Sequence, residues 1–171
     1  PLIIPEDALL EGIDVLDQSI YEVINCKWSL LDQLSKLIEK GKLIAVVQTR
    51  MGSTRLPGKV MKEICGKPML QLMLERLSKS KLIDEIVVAT TTNPNDNVIF
   101  DFAKKNGYNV FRGSEFDCLD RHYKTAIEFN ASYIAKITPD CPLIDPEVID
   151  IVLDYFLKHL KQFDYVSNAH P

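Results

Sequence analysis

From Lys42 onward the chain alternates two kinds of segment, and this alternation restricts its fold more than any other feature. Apolar, β-branched runs occur at residues 43–49 (LIAVVQT), 85–91 (EIVVATT), 108–113 (YNVFRG) and 133–138 (YIAKIT). The first two suit strands buried on both faces, and the last two read as shorter strands. Between and after them lie stretches with helical spacing: residues 69–80, 95–107, 118–130 and 146–161. Gly107 closes one of them, and Asp145 followed by Pro146 opens another as a cap and first-turn pair. Strand and helix in strict turn predict an α/β fold, a mostly parallel sheet with helices on both faces.

The first forty residues follow a different pattern. Leu9, Leu10, Ile13, Leu16, Ile20 and Val23 recur at helical spacing, and Ser29 opens a second apolar periodicity that Gly41 ends. The organisation expected is a helical extension over residues 1–41 and a nucleotide-binding domain over 42–171.

In an open parallel sheet, ligands bind beyond the carboxyl ends of the strands. Three such ends here carry polar residues: TRMGSTRLPGK, TTTNPND and TPDCPLID. The first is the most distinctive. Arg50 and Arg55 supply planar forks suited to phosphate oxygens, Lys59 adds a mobile charge, and Gly52 and Ser53 offer backbone donors. A Walker A loop is excluded, because Gly52 and Gly58 are one residue too far apart and Val60 replaces the hydroxyl that follows the lysine. A dinucleotide-binding turn is excluded by Pro57 and the glycine spacing.

Composition sharpens this. The net charge is −4, so the cations of this loop belong to a site and not to a general nucleic-acid surface. No apolar run reaches the roughly 20 residues that span a bilayer, and no membrane insertion is expected. The four cysteines, Cys26, Cys65, Cys118 and Cys141, form no C-x-x-C pair. That argues against zinc or a disulfide framework and for a reducing, cytoplasmic setting.

The segments RMGSTRLPGKVM…GKPML, VFRGSEFDCLDRHYKTA, ITPDCPLIDPEVID and DYVSN resemble the sugar-activating cytidylyltransferases, the CMP-sialic acid and CMP-Kdo synthetases. Within them the likeness is nearest to the spore-coat polysaccharide biosynthesis protein F (SpsF) group. The resemblance implies a Rossmann-like nucleotidyltransferase fold, a three-layer sandwich. It also implies CTP as substrate, Mg²⁺ as cofactor and a sugar or sugar acid as acceptor. By position, Arg50, Arg55 and Lys59 would grip the triphosphate, with Gly52 and Ser53 lining the loop. Thr91, Thr92, Asn93 and Arg121 would contact the nucleotide. Asp140 would hold the metal, as a hard oxygen ligand should beside phosphates.

The family's second metal-binding aspartate has no counterpart in the sequence. A truncated C-terminal part, a missing continuation or a homo-oligomer that completes the site is therefore expected. Residues 5–23 faintly resemble the last helix of class III aminotransferases. Two alternatives to transfer of CMP are a glycosyltransferase using a nucleotide-sugar and a non-catalytic nucleotide-binding fragment. Neither a D-x-D metal motif nor any acceptor residue is visible to favour the former. His122 reads as structural, Asn95 as a helix cap, and Cys141 as a small packing residue.

Overall fold

The computed structural model describes the backbone of residues 2–5, and residues 41–53 and 55–168. Its centre is a six-stranded sheet. The strands are β1 (Leu2–Pro5), β2 (Leu43–Gln48), β5 (Glu85–Thr91), β6 (Asn109–Gly113), β7 (Tyr133–Ile137) and β8 (Val166–Ser167). Their spatial order is β6-β5-β2-β7-β1-β8. β6, β5, β2 and β7 run parallel, with Val46 opposite Val87 and Lys136 in register. β1 pairs antiparallel with both β7 and β8.

All four predicted strands and all four predicted helices after Lys42 are present. The helices are α1 (Met69–Leu77), α2 (Asn97–Lys105), α3 (Cys118–Glu128) and α4 (Pro146–Lys158). Asp145 caps α4 by accepting from Glu147 N at 2.9 Å. At the N-terminus the structure differs from the expected helical extension, because residues 2–5 form a strand of the main sheet. The helices expected within residues 6–40, and the aminotransferase-like stretch, lie outside the described residues.

A small hairpin, β3 (Glu63–Ile64) and β4 (Lys67–Pro68), went unforeseen. Its turn residues Cys65 and Gly66 have φ of 51° and 78°. Two positive φ values in succession are the signature of a two-residue type I′ hairpin.

The period-2 alternation of β2 sorts its side chains between two cores. Leu43, Ala45 and Val47 face α1, α2 and α4, among Leu70, Met73, Leu77, Ile99, Leu153 and Phe156. Ile44 and Val46 face the other way, with Val87, Ile134 and Ala126 of α3. Truncating one fully buried aromatic such as Phe156 would cost about 3–5 kcal/mol. The thicker core therefore fixes the strand ends from which the polar loops depart.

The chain leaves β2 toward β5 and β6, then returns to place β7 on the other side of β2. That reversal makes the β2–β7 boundary the topological switch point, where loops diverge and leave a crevice.

Candidate nucleotide site

A cleft opens at the switch point. It is lined by Gln48, Thr49, Arg50, Ser53, Arg55 and Lys59 from β2 and its loop, Arg121 from α3, and Thr138, Pro139 and Asp140 beyond β7. Residues up to 92 positions apart in sequence thus meet on one rim. Arg50, Ser53, Arg55, Lys59, Arg121 and Asp140 were all candidates on sequence grounds.

Two anchors shape the first loop. Met51 O accepts from Ser53 N at 2.8 Å and from Gly58 N at 2.9 Å, so the loop folds back on itself. Met51 N donates to Asp96 Oδ1 at 2.7 Å, which ties the loop to the turn after β5. Gly58 has φ of 68°, and a Cβ there would lie 3.2 Å from Met51 Cε. Conformational freedom is needed at Gly58, since a left-handed backbone strains any side chain. Gly52 is exposed, with no protein atom within 4 Å of where its Cβ would be.

Among the described residues, Arg50 and Arg55 make no side-chain hydrogen bond or ion pair. Lys59 Nζ meets Asp140 Oδ2 at 2.5 Å. Their side chains are 28% and 50% exposed, and a pair this open to water is worth about 0–1 kcal/mol. Separation is therefore inexpensive whenever a polyanion and a cation offer both partners something better. α1 steadies the Asp140 loop from behind, where Arg76 Nε donates to Ile144 O at 2.7 Å.

Asp140 is the one carboxylate among the residues lining the cleft, half-exposed beside Arg50, Arg55, Lys59 and Arg121. Among the described residues no group of three or more His, Cys, Asp or Glu side chains is arranged to hold a metal ion.

Arg121 is not the surface partner of Asp120. It is 4% exposed, while Asp120 pairs with Lys124 at 2.9 Å. Arg121 Nη1 donates to Ser114 O, and Nη2 approaches Cys118 Sγ at 3.9 Å. Its Nε has no partner, and neither has the buried Oγ1 of Thr49. Unpaired buried polar groups are expensive in a fold, and two of the four in the described residues line this cleft. Gly113 makes room for the guanidinium arm, because a Cβ there would lie 3.1 Å from Arg121 Cγ.

The cytidylyltransferase family model matches residues 44–170. The chain belongs to that family. It is 34% identical over 131 residues to the spore coat polysaccharide biosynthesis protein SpsF of Bacillus subtilis, covering 74% of this chain and 55% of the relative. A cytidylyltransferase structure from Leptospira borgpetersenii superimposes with a TM-score of 0.66 at 43% identity, over 69% of this chain and 50% of that one. A CMP:2-keto-3-deoxy-manno-octonic acid synthetase complexed with CTP superimposes with a TM-score of 0.59 at 27% identity, over 68% and 48%. The chain spans about half the length of the curated relatives it matches.

The residues of the second polar loop stand apart from the cleft. Thr91, Thr92 and Asn93 do not line the cleft. Thr91 is buried, donating to Asp96 Oδ2 and accepting from Asn93 N at 3.1 Å. Asn93 caps a 3-10 turn (Pro94–Asp96), its Oδ1 accepting from Asn95 N at 2.9 Å, while Asp96, not Asn95, stands at the N-cap of α2. Its Nδ2 donates to Glu115 Oε2 at 3.0 Å. Thr92 is exposed and donates through its backbone to Gly113 O. Cys141, expected to pack, is exposed instead.

Sequence reasoning missed Gln48, which lines the cleft, and two residues behind the lining, Cys118 and Asp96. Gln48 ends β2 on the α3 side, where its Oε1 accepts from the Cys118 thiol. Asp96, 2% exposed, lies under the loop whose Met51 N–H it accepts from. His122 is structural as expected: Nδ1–H donates to Cys118 O at 2.7 Å. Burial pushes its pKa down, the Lys136 and Arg121 charges push the same way, and the bond to Cys118 O opposes them.

Proposed function

We propose that this domain binds CTP with Mg²⁺ and serves transfer of CMP to a hydroxyl of a sugar or sugar acid, in surface-polysaccharide biosynthesis. The observation that carries the reading is the meeting of Arg50, Arg55, Lys59, Arg121 and Asp140 in one cleft at the sheet's switch point. Family membership and the likeness to a synthetase complexed with CTP support it.

Arg50, Arg55 and Lys59 hold the β- and γ-phosphates, so Lys59 exchanges Asp140 for the triphosphate. Asp140, once freed, faces the α-phosphate and is the residue that would hold Mg²⁺. Bound there, the ion supplies Lewis-acid polarisation of phosphoryl oxygen. The acceptor oxygen forms a bond to the α-phosphorus as the bond to the leaving pyrophosphate breaks. The hydroxyl proton passes to solvent, and the new negative charge on pyrophosphate is matched by the loop cations already in place. Catalysis is then positioning and charge neutralisation, with no covalent enzyme intermediate. Exposed, free Cys65 and Cys141 suit a reducing cytoplasm.

Titration calorimetry with CTP tests the nucleotide step. Binding that strengthens when Mg²⁺ is added is expected. Heats no larger than those given by inorganic sulfate would overturn the reading.

A further inference from the structure

We infer that the Lys59–Asp140 ion pair is an autoinhibitory latch across the cleft, which disfavours entry of a metal-free triphosphate or of a bare divalent cation and favours the two together. The inference rests on the CTP reading above and adds to it how the empty site selects the charge of what enters.

Position and charge single out this pair. The cleft is lined by four cationic side chains, Arg50, Arg55, Lys59 and Arg121, and by one carboxylate, Asp140. Lys59 belongs to the loop after β2, and Asp140 to the loop after β7, 81 positions on. Their contact at 2.5 Å therefore joins the two walls of the cleft. Among the described residues Arg50 and Arg55 have no such partner. Lys59 is thus the loop cation that a phosphate must win from another anion.

Both partners are mounted so that their side chains alone need to move. Gly58 N donates to Met51 O, and Met61 N to Gly58 O, which holds the short 3-10 turn Lys59–Met61. Val60 in that turn is 1% exposed and pins it to the larger core. On the other wall, Arg76 Nε donates to Ile144 O and Ile144 N to Cys141 O, which steadies the Asp140 loop. The pair itself is open to water, so breaking it is inexpensive. The larger cost lies in any charge left unmatched afterwards.

A metal-free triphosphate that takes Lys59 leaves the Asp140 carboxylate bare beside phosphate oxygens. A divalent cation that takes Asp140 alone leaves the Lys59 ammonium bare in a cleft that also holds three guanidinium groups. When both arrive, each partner of the latch is exchanged for an opposite charge and none is stranded. Binding of the two is therefore coupled, and such coupling is reciprocal. The latch re-forms when they leave.

The test follows both sides of the pair in the whole chain, at constant ionic strength, with circular dichroism melts run on each variant. Limited acetylation read by mass spectrometry, with exposed Lys161 as internal reference, measures whether the Lys59 amine is held. Without ligands, Asp140→Asn should raise Lys59 acetylation about twofold or more, as loss of an exposed pair requires. Calorimetry in EDTA should show Asp140→Asn binding CTP about two- to fivefold more tightly than wild type. With Mg²⁺ in place of EDTA the same variant should bind CTP more weakly than wild type. From the other side, Lys59→Met should bind Mn²⁺ alone about two- to fivefold more tightly than wild type, read by electron paramagnetic resonance of the free ion. Unchanged Lys59 acetylation in Asp140→Asn overturns the latch even where metal-free CTP affinity rises, because relief of repulsion alone accounts for that rise. Weaker metal-free CTP binding by Asp140→Asn, or no gain in Mn²⁺ binding by Lys59→Met, overturns it too. Each of these results leaves the CTP site standing if wild type binds CTP with Mg²⁺. A wild-type chain that binds CTP in neither buffer overturns the CTP reading, and the latch as a selector falls with it.

Discussion

The loops after β2 and β5 leave neighbouring parallel strands at the same sheet rim, and both are rich in polar residues. Their polar groups have opposite fates. In the turn after β5 the side chains satisfy one another: Thr91 with Asp96, Asn93 with Glu115 and with the backbone of Asn95. In the loop after β2, Arg50 and Arg55 have no side-chain partner among the described residues, and Lys59 has only a solvent-screened one. A polar group the chain has already satisfied is part of the scaffold. One left open at a strand end is available to a ligand. The two loops are joined at Asp96, which takes Met51 N from one and Thr91 Oγ1 from the other. The scaffold loop is what holds the binding loop in place.

That division can be broken most severely at Asp96. Asp96→Ala leaves the Met51 N–H and the Thr91 hydroxyl without their acceptor in a site only 2% exposed. Each stranded donor costs about 1–3 kcal/mol, so urea unfolding should show a loss of about 2–5 kcal/mol. CTP affinity should fall with it, because the first loop loses its tether. A variant as stable as wild type would mean that the turn after β5 is not the scaffold described here.

Lys59 probes the opposite side of the comparison, and its effect should be functional. Lys59→Ala removes a charge-assisted contact to phosphate, worth about 1.5–3 kcal/mol, or roughly a 10- to 150-fold loss in CTP affinity. Without ligand it breaks only an exposed pair with Asp140, so the unfolding midpoint should move by less than about 1 kcal/mol of stability. Calorimetry and thermal melts on one preparation measure both numbers. Equal and large changes in both would make Lys59 scaffold, not site.

How much of this was legible follows from the range of the interactions involved. β2 and β5 announce themselves because each is a local, mostly buried apolar run, and β6 and β7 because each is a short β-branched or aromatic stretch set between helical segments. α1, α2 and α4 show their apolar spacing. The Arg50, Arg55, Lys59 and Asp140 candidates stand at strand ends, and the fold rule carries them to one rim. β1 and β8 could not be read, since strands of four and two residues owe their existence to their neighbours. The state of Thr91 and Asn93 was equally hidden, because a polar side chain looks the same in sequence whether or not it is satisfied. α3 is the instructive case. Its buried residues are Arg121, His122, Thr125 and Ala126, which is helical spacing on a mostly polar face. A search for apolar periodicity passes over that face, and with it the Gln48–Cys118 contact 70 positions apart.

His122 sharpens the division between satisfied and open groups, and gives the smallest effect. Its Nδ1 is satisfied by Cys118 O, while its Nε2 is buried without a partner. Desolvation is the main cause of its lowered pKa, and the charges of Lys136 and Arg121 add to it. The folded protein thus holds the ring neutral at a pH where the unfolded chain, with an ordinary histidine pKa near 6.5, already takes up a proton. Below that pH the unfolded state binds more protons than the folded one, so stability falls as pH falls and is fully present above it. Melting temperatures measured from pH 7.5 to 5 should therefore decline in the wild type more than in His122→Gln. The glutamine can donate to the Cys118 carbonyl but cannot titrate. Carboxylates contribute their own slope in both proteins, and the difference between the two curves isolates the histidine. Parallel curves would mean that Nε2 finds water or another partner on protonation, and that this face of α3 is less dry than its burial indicates.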